Sequence, residues 1–194
     1  LIKQIYVYEK KYKKDDELAL LNLKKNQILF YMRNFEIVTE NIKSILKELP
    51  KDNKYYNDYV DGFSILMLFN THEIELNKFS DAIYLIKQDN FLDAISILLE
   101  LNTSKQEMIR NLSSYYLSYA YIKVKNYLSL EELISQINGN DIYVQTIKLL
   151  SAELDDHMNN DLESAKEKYL NFLDNYNSSI YYEDIRLRLR SIVG

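Results

Sequence analysis

The stretch "DDHMNND" (155–161) gathers Asp155, Asp156, His157 and Asp161 within seven positions, the densest cluster of acid–base and ligand-type side chains in the chain. Carboxylate oxygens at such spacing suit a hard cation, and a histidine beside carboxylates suits proton transfer. A catalytic base, however, needs a partner that orients it, and the second of the two histidines, His72 in "THEIE", stands far away at a helix start. Neither histidine has a second one at metal-ligand spacing, so 155–161 reads as a solvated acidic loop and no metal site is expected. Glycines occur only at 62, 139 and 194, which leaves no phosphate-cradling loop. The absence of cysteine removes thiol nucleophiles, disulfides and thiolate metal sites. Expected, then, are no catalytic residue, no cofactor and no enzyme.

Tyrosine is the second resource, with eighteen in the chain. "SSYYLSYAYIK" (113–123) places Tyr115 and Tyr119 four apart on one helix face, with Tyr116 and Tyr121 on others. Tyrosine fills a loose core while its hydroxyl reaches water; it also suits binding surfaces, offering large area and few torsions. At the C-terminus, "YYEDIRLRLRSIV" alternates apolar and basic residues, but helical spacing accounts for it better. Ile185, Leu189 and Ile192 form one stripe with Leu187 beside it, and Asp184 sits four before Arg188 as an ion-pair partner. A helix that closes the end of the fold is predicted here.

These residues must be positioned by helices. The chain has 194 residues, 47% of them apolar, but three glycines and one proline offer little turn chemistry for a β-sandwich or barrel. Apolar spacing predicts helices at 2–12, 15–32, 35–48, 55–69, 72–88, 91–101, 105–124, 127–137, 141–157, 161–175 and 179–192. "ELPKDN", "NTSKQE" (with Thr103 as a helix cap), "NGND" and "DNYNSS" punctuate them. Uncharged stretches such as Gly62 to His72 and Asn111 to Ile122 are too short for a bilayer span, so no transmembrane segment is expected. The first residue is Leu1 rather than methionine, which suggests a processed or trimmed start. Residues 1–55 carry a net charge of +4 and 56–194 one of −9. "KKYKK" (10–14) is the only basic run and reads as a solvated helix end, so no nucleic-acid partner is expected.

Four segments align: "RNFEIVTENI" (33–42), "DNFLDAISIL" (89–98), "KNYLSLEELI" (125–134) and "NDLESAKEKY" (160–169). Each has a polar pair, then Phe35, Phe91, Tyr127 or Leu162, and three residues later Val38, Ala94, Leu130 or Ala165. This pattern resembles the tetratricopeptide repeat family, whose unit is a pair of antiparallel helices of about 34 residues. Ala82, Ser118 and Ser151 match the family's small residue in the first helix, and Ala94 and Ala165 its alanine in the second; Pro50 matches its closing proline. Asn26, Leu130 and the lengthened "HMNND" loop depart from the pattern, and Asn177 stands where a last proline would be.

The resemblance implies an all-α, right-handed superhelical stack of antiparallel helix pairs, one domain over 1–194. Within it, 15–50 is a degenerate repeat, 51–74 an inserted helix, 75–177 three better-matched repeats and 178–194 a capping helix. It implies that Ala94 is small because the preceding helix, around Ala82, passes close over it. It also implies a concave groove carrying Phe79, Ile83, Tyr115, Tyr119, Lys148, Ala152 and Asp155, with a protein or peptide as partner. Members that bind chaperone tails need lysine and asparagine where Phe79 and Ile83 stand, which disfavours that activity. Inserted helices and similar endings occur in exported repeat proteins of bacterial cell envelopes, which favours periplasm or envelope over cytoplasm. The expected function is a non-catalytic scaffold that binds a peptide, a helix or a neighbouring subunit within a larger bacterial assembly. A structural spacer or oligomer subunit, or the helical sensor domain of a regulator, is the alternative.

Overall fold

The computed structural model describes residues 15–193, and every regular element among them is a helix. These are α1 (Asp15–Tyr31), α2 (Phe35–Glu48), α3 (Tyr56–Leu68), α4 (Glu73–Lys87), α5 (Phe91–Leu101), α6 (Glu107–Lys123), α7 (Tyr127–Gln136), α8 (Ile142–Leu154), α9 (Leu162–Asn175) and α10 (Tyr182–Val193). A single wide turn of π type, Asp155–Asn159, joins α8 to the loop before α9. Each helix expected within 15–193 is present, with ends displaced by three residues at most. The expected helix at 2–12 and the "KKYKK" run lie outside the described residues. The chain divides into two compact units after Lys87, inside the run 75–177 that the repeat pattern treats as continuous.

The polar pair of each aligned segment turns out to be a corner. Arg33, Asp89, Lys125 and Asn160 all adopt left-handed backbone, with φ of 60°, 58°, 58° and 53°. Asn34, Asn90, Asn126 or Asp161 follows as the cap of the next helix. The amide of Asn34 donates to the Leu29 carbonyl and that of Asn126 to the Tyr121 carbonyl, each at 2.9 Å, which closes the preceding helix with a six-to-one bond. At Asn126 and Asp161 the side chain also accepts from the amide three residues on. Left-handed backbone at a non-glycine residue costs about 1–2 kcal/mol. The described residues meet that cost four times, at non-glycine positions.

In the N-terminal unit α1 packs on α2 and α4, and α2 on α3. Tyr59 of α3 has no exposed surface, and its hydroxyl donates to the Ala19 carbonyl of α1 at 2.5 Å. The inserted helix is thus an integral wall of this unit. Phe69 and Phe79 stack at 5.2 Å, and the edge of Phe30 meets Phe79 at 6.5 Å. Asn26, which replaces a small residue of the repeat pattern, is buried and accepts a bond from Asn41 at 3.0 Å. That partner makes a polar side chain tolerable there.

In the C-terminal unit α6 is the central helix, packed by α5, α7 and α8. Ile109, Leu112, Leu117, Ala120 and Tyr121 are buried, and so are Asn111, Ser113, Ser114 and Ser118. Each of these polar side chains has a partner. Ser113 and Ser118 bond back to the carbonyls of Ile109 and Ser114, Ser114 donates to Asn102, and Asn111 donates to Asp141. Small, internally satisfied serines let neighbouring helices approach on nearly all sides. Leu149, Ala152, Ala165, Tyr169, Phe172, Ile185 and Leu189 form the core that holds α8, α9 and α10 together. Leu187, expected beside that stripe, is 60% exposed. Thr103 is no cap: its hydroxyl donates to the Glu100 carbonyl, and α6 begins only at Glu107, after Ser104 has accepted from the Gln106 amide.

Ala94 has no exposed surface, whereas Lys87 is exposed. Ala94→Phe is expected to lower stability by about 1–3 kcal/mol through overpacking and Lys87→Ala by less than about 0.5 kcal/mol. Urea melts on the two variants check this, and equal midpoints would place Ala94 at the surface. At the Lys125 corner, Lys125→Gly is expected to keep or raise the melting temperature, and Lys125→Val to lower it, because a β-branched residue resists positive φ. Two variants melting alike would contradict the left-handed corner.

Candidate functional site

The C-terminal unit contains a pocket of about 520 Å³. Its walls come from α6, α8 and α10, with the wide turn at one end and Tyr169 of α9 behind. Tyr115 and Tyr119, one turn apart on α6, line the pocket and are 37% and 42% exposed. Tyr115 meets Tyr116 edge-on at 5.2 Å and Tyr143 at 5.9 Å, and Tyr119 meets Phe91 at 6.0 Å. These contacts fix the rings without burying them. From α8 come Thr146, Leu150 and Glu153, a stripe that continues to His157 in the wide turn. Tyr181, just before α10, shares a 3.1 Å hydrogen bond between its hydroxyl and that of Thr146.

Behind the pocket lies an ionic clamp. The Asp156 side chain is wholly buried and receives Arg188 of α10 through two bonds, Nε to Oδ2 at 2.7 Å and Nη2 to Oδ1 at 2.6 Å. Tyr169 donates its hydroxyl to Oδ2 at 3.0 Å. Bonding from the Arg188 guanidinium, opposed by burial and assisted by Tyr169, holds the Asp156 carboxyl below the ordinary carboxylate range. Burial, reinforced by the bond to Asp156, pushes the Tyr169 phenol up. Arg188 therefore does not pair with Asp184, its expected partner four residues earlier, because the buried carboxylate offers a bidentate, water-excluded acceptor.

The remaining members of the acidic stretch are also committed to separate tasks. Asp155 accepts from Ser164 and Asn159 and pairs with Lys168 at 2.6 Å. Burial raises its carboxyl, but those bonds outweigh burial and leave it below the ordinary range. Asp161 caps α9. His157 is 61% exposed, with Nε2 3.7 Å from Asp156 Oδ2.

Of the seven residues assigned to a groove, the pocket takes Tyr115 and Tyr119. Lys148, Ala152 and Asp155 lie elsewhere on α8 and its wide turn. Lys148 Nζ donates to the Ile134 carbonyl at 2.7 Å, and burial lowers its pKa. Asp155 lines a small cavity with Tyr127, Met158 and Lys168. Ala152 has no exposed surface and belongs to the core with Ala165. Phe79 is a core residue of the N-terminal unit, 1% exposed, and Ile83 is half-buried on the same helix.

The repeat pattern places the small residue of α8 one position early, at Ser151, where the structure buries Ala152. Ala82 to Ala94 and Ser118 to Leu130 both span 12 residues, whereas Ala152 to Ala165 spans 13. A π turn absorbs one extra residue. The small buried residue of α8 is thus Ala152 rather than Ser151; on the pocket wall Glu153 is exposed, while Thr146 and Leu150 are half-buried. That thirteen-residue spacing was the available signal; nothing in the sequence marked Tyr181 or Arg188 as their neighbours.

No family model matches this chain, and no curated protein or solved structure matches it.

A carboxyl whose folded pKa is depressed stabilises fully above its unfolded value, about 4, and that contribution is lost as pH falls through the folded value. Asp156→Asn is therefore expected to melt about 5 °C below the parent at pH 7, with the gap closing in acid. Melting temperatures of both proteins between pH 7 and pH 2.5 check this. A gap of constant size would mean that Asp156 is not an ionised partner of Arg188.

Proposed function

We propose that the chain is a non-catalytic protein-binding scaffold of tetratricopeptide type, in which a peptide segment or helix of a partner docks in the tyrosine-lined pocket. The observation that carries this reading is the pocket itself. Alternate helices α6, α8 and α10 contribute its walls, as the first helices of successive pairs would in a right-handed stack, and its rings are fixed yet exposed. Its volume falls within the roughly 300–1,000 Å³ of sites that enclose ligands, and fixed aromatic rings bind with little loss of torsional freedom. The four recurring left-handed corners support the repeat reading. Chemistry at His157 has little support, because the neighbouring carboxylate is already held by Arg188 and Tyr169. The partner in this reading is a protein within a bacterial assembly, and the pocket needs no cofactor.

A random peptide library displayed on phage and panned on the 194-residue chain tests the proposal. Recovered peptides are expected to bind about tenfold more weakly to Tyr115→Ala/Tyr119→Ala, a loss typical of exposed aromatic anchors. The same double variant is expected to melt within a few degrees of the parent. Failure to enrich any peptide, or peptides indifferent to both substitutions, would remove this function from the pocket.

A further inference from the structure

We infer that the pocket selects a basic side chain: a lysine or arginine flanked by apolar residues, its cation received by Glu153 and Asp184 and its stem laid on the tyrosine rings. The inference rests on the pocket's being a docking site and specifies what docks. Among the described residues Arg188 is the only arginine or lysine on the pocket wall, and its charge is already answered. Nε and Nη2 bind the buried Asp156 carboxylate, while Nη1 reaches Ser191. Glu153 and Asp184 are different. They come from separate helices 31 positions apart, line the same cavity, are exposed, and make no hydrogen bond or ion pair among the described residues.

The Glu153 and Asp184 carboxylates thus present two unanswered negative charges beside apolar and aromatic surface. An anionic cargo would meet like charge, and a wholly apolar one would strip water from two carboxylates without replacement. A cation on an apolar stem satisfies both parts of the wall. The ring faces favour the same choice, since an ammonium or guanidinium within about 6 Å of a ring centroid is attracted to it. Tyr119 already behaves this way: Lys123 Nζ lies 5.3 Å from its centroid, although Lys123 is no part of the pocket wall. Long basic side chains also cover apolar surface with their methylenes.

The peptides recovered by panning supply the probes. Each is expected to carry Lys or Arg at one position with apolar neighbours, and norleucine there is expected to weaken binding about tenfold. Glu153→Gln with Asp184→Asn, both near-isosteric, is expected to weaken the basic peptide about tenfold, flatten its salt dependence and leave the norleucine peptide bound at least as tightly as to the parent. Peptides without a basic residue, or a basic residue whose loss costs the same against parent and variant, would overturn the inference. If the tyrosine variant abolishes binding and the carboxylate variant does not, the docking site stands and only the basic selectivity falls. If no peptide is enriched, both fall.

Discussion

A carboxylate without exposed surface stays ionised only when its lost hydration is replaced by charge and by donors in good geometry. Asp156 meets that condition with a bidentate guanidinium and a phenol, drawn from α10 and α9. Much of the C-terminal unit's end follows from this. Arg188 ties α10 to the turn that ends α8, while Ile185 and Leu189 bury against the α8–α9 core. Tyr181 then reaches Thr146, and the third wall of the pocket is in place. Because Asp156 takes Arg188, Asp184 is left without its own counter-ion.

The helices within 15–193 were legible in the sequence to within three residues at their ends, because most have an apolar stripe and four corners are marked by Arg-Asn, Asp-Asn, Lys-Asn and Asn-Asp pairs. What those pairs do was not legible. Arginine and lysine carry no local sign of left-handed backbone, which is imposed by the six-to-one closure of the preceding helix. The pocket was half legible. Tyr115 and Tyr119 stand out by type and spacing on a regular helix. The α8 face was counted from Ser151, flanked by Leu150 and Leu154, rather than from the buried Ala152 one residue on, so Lys148, Ala152 and Asp155 were taken for its surface. Long-range partners such as Arg188 and Asp156, 32 residues apart, leave no trace in local spacing, and the nearer Asp184 offered a plausible but wrong partner.

Both departures from the small-residue pattern have physical accommodations. Leu130 sits fully buried where an alanine would be usual, and Asn26 is buried but satisfied by Asn41. A bulkier or polar residue at a close-packed position is tolerated when volume or hydrogen bonding is matched locally. The extra helix α3 is bound to its unit in the same manner, by a buried tyrosine whose hydroxyl finds a backbone carbonyl.

The central position of α6 bears on how the C-terminal unit comes apart. An ideal linear array frays from its ends, because each repeat touches only its immediate neighbours. Here one helix contacts α5, α7 and α8, and it buries serines and an asparagine whose partners include Asn102, in the loop before α6, and Asp141, the cap of α8. Detaching α5 or α8 breaks the bond that satisfies Ser114 or Asn111, so the middle of the unit is expected to open as one cooperative block. Slow amide exchange is then concentrated along α6, and the outermost helix, α10, exchanges through smaller local openings.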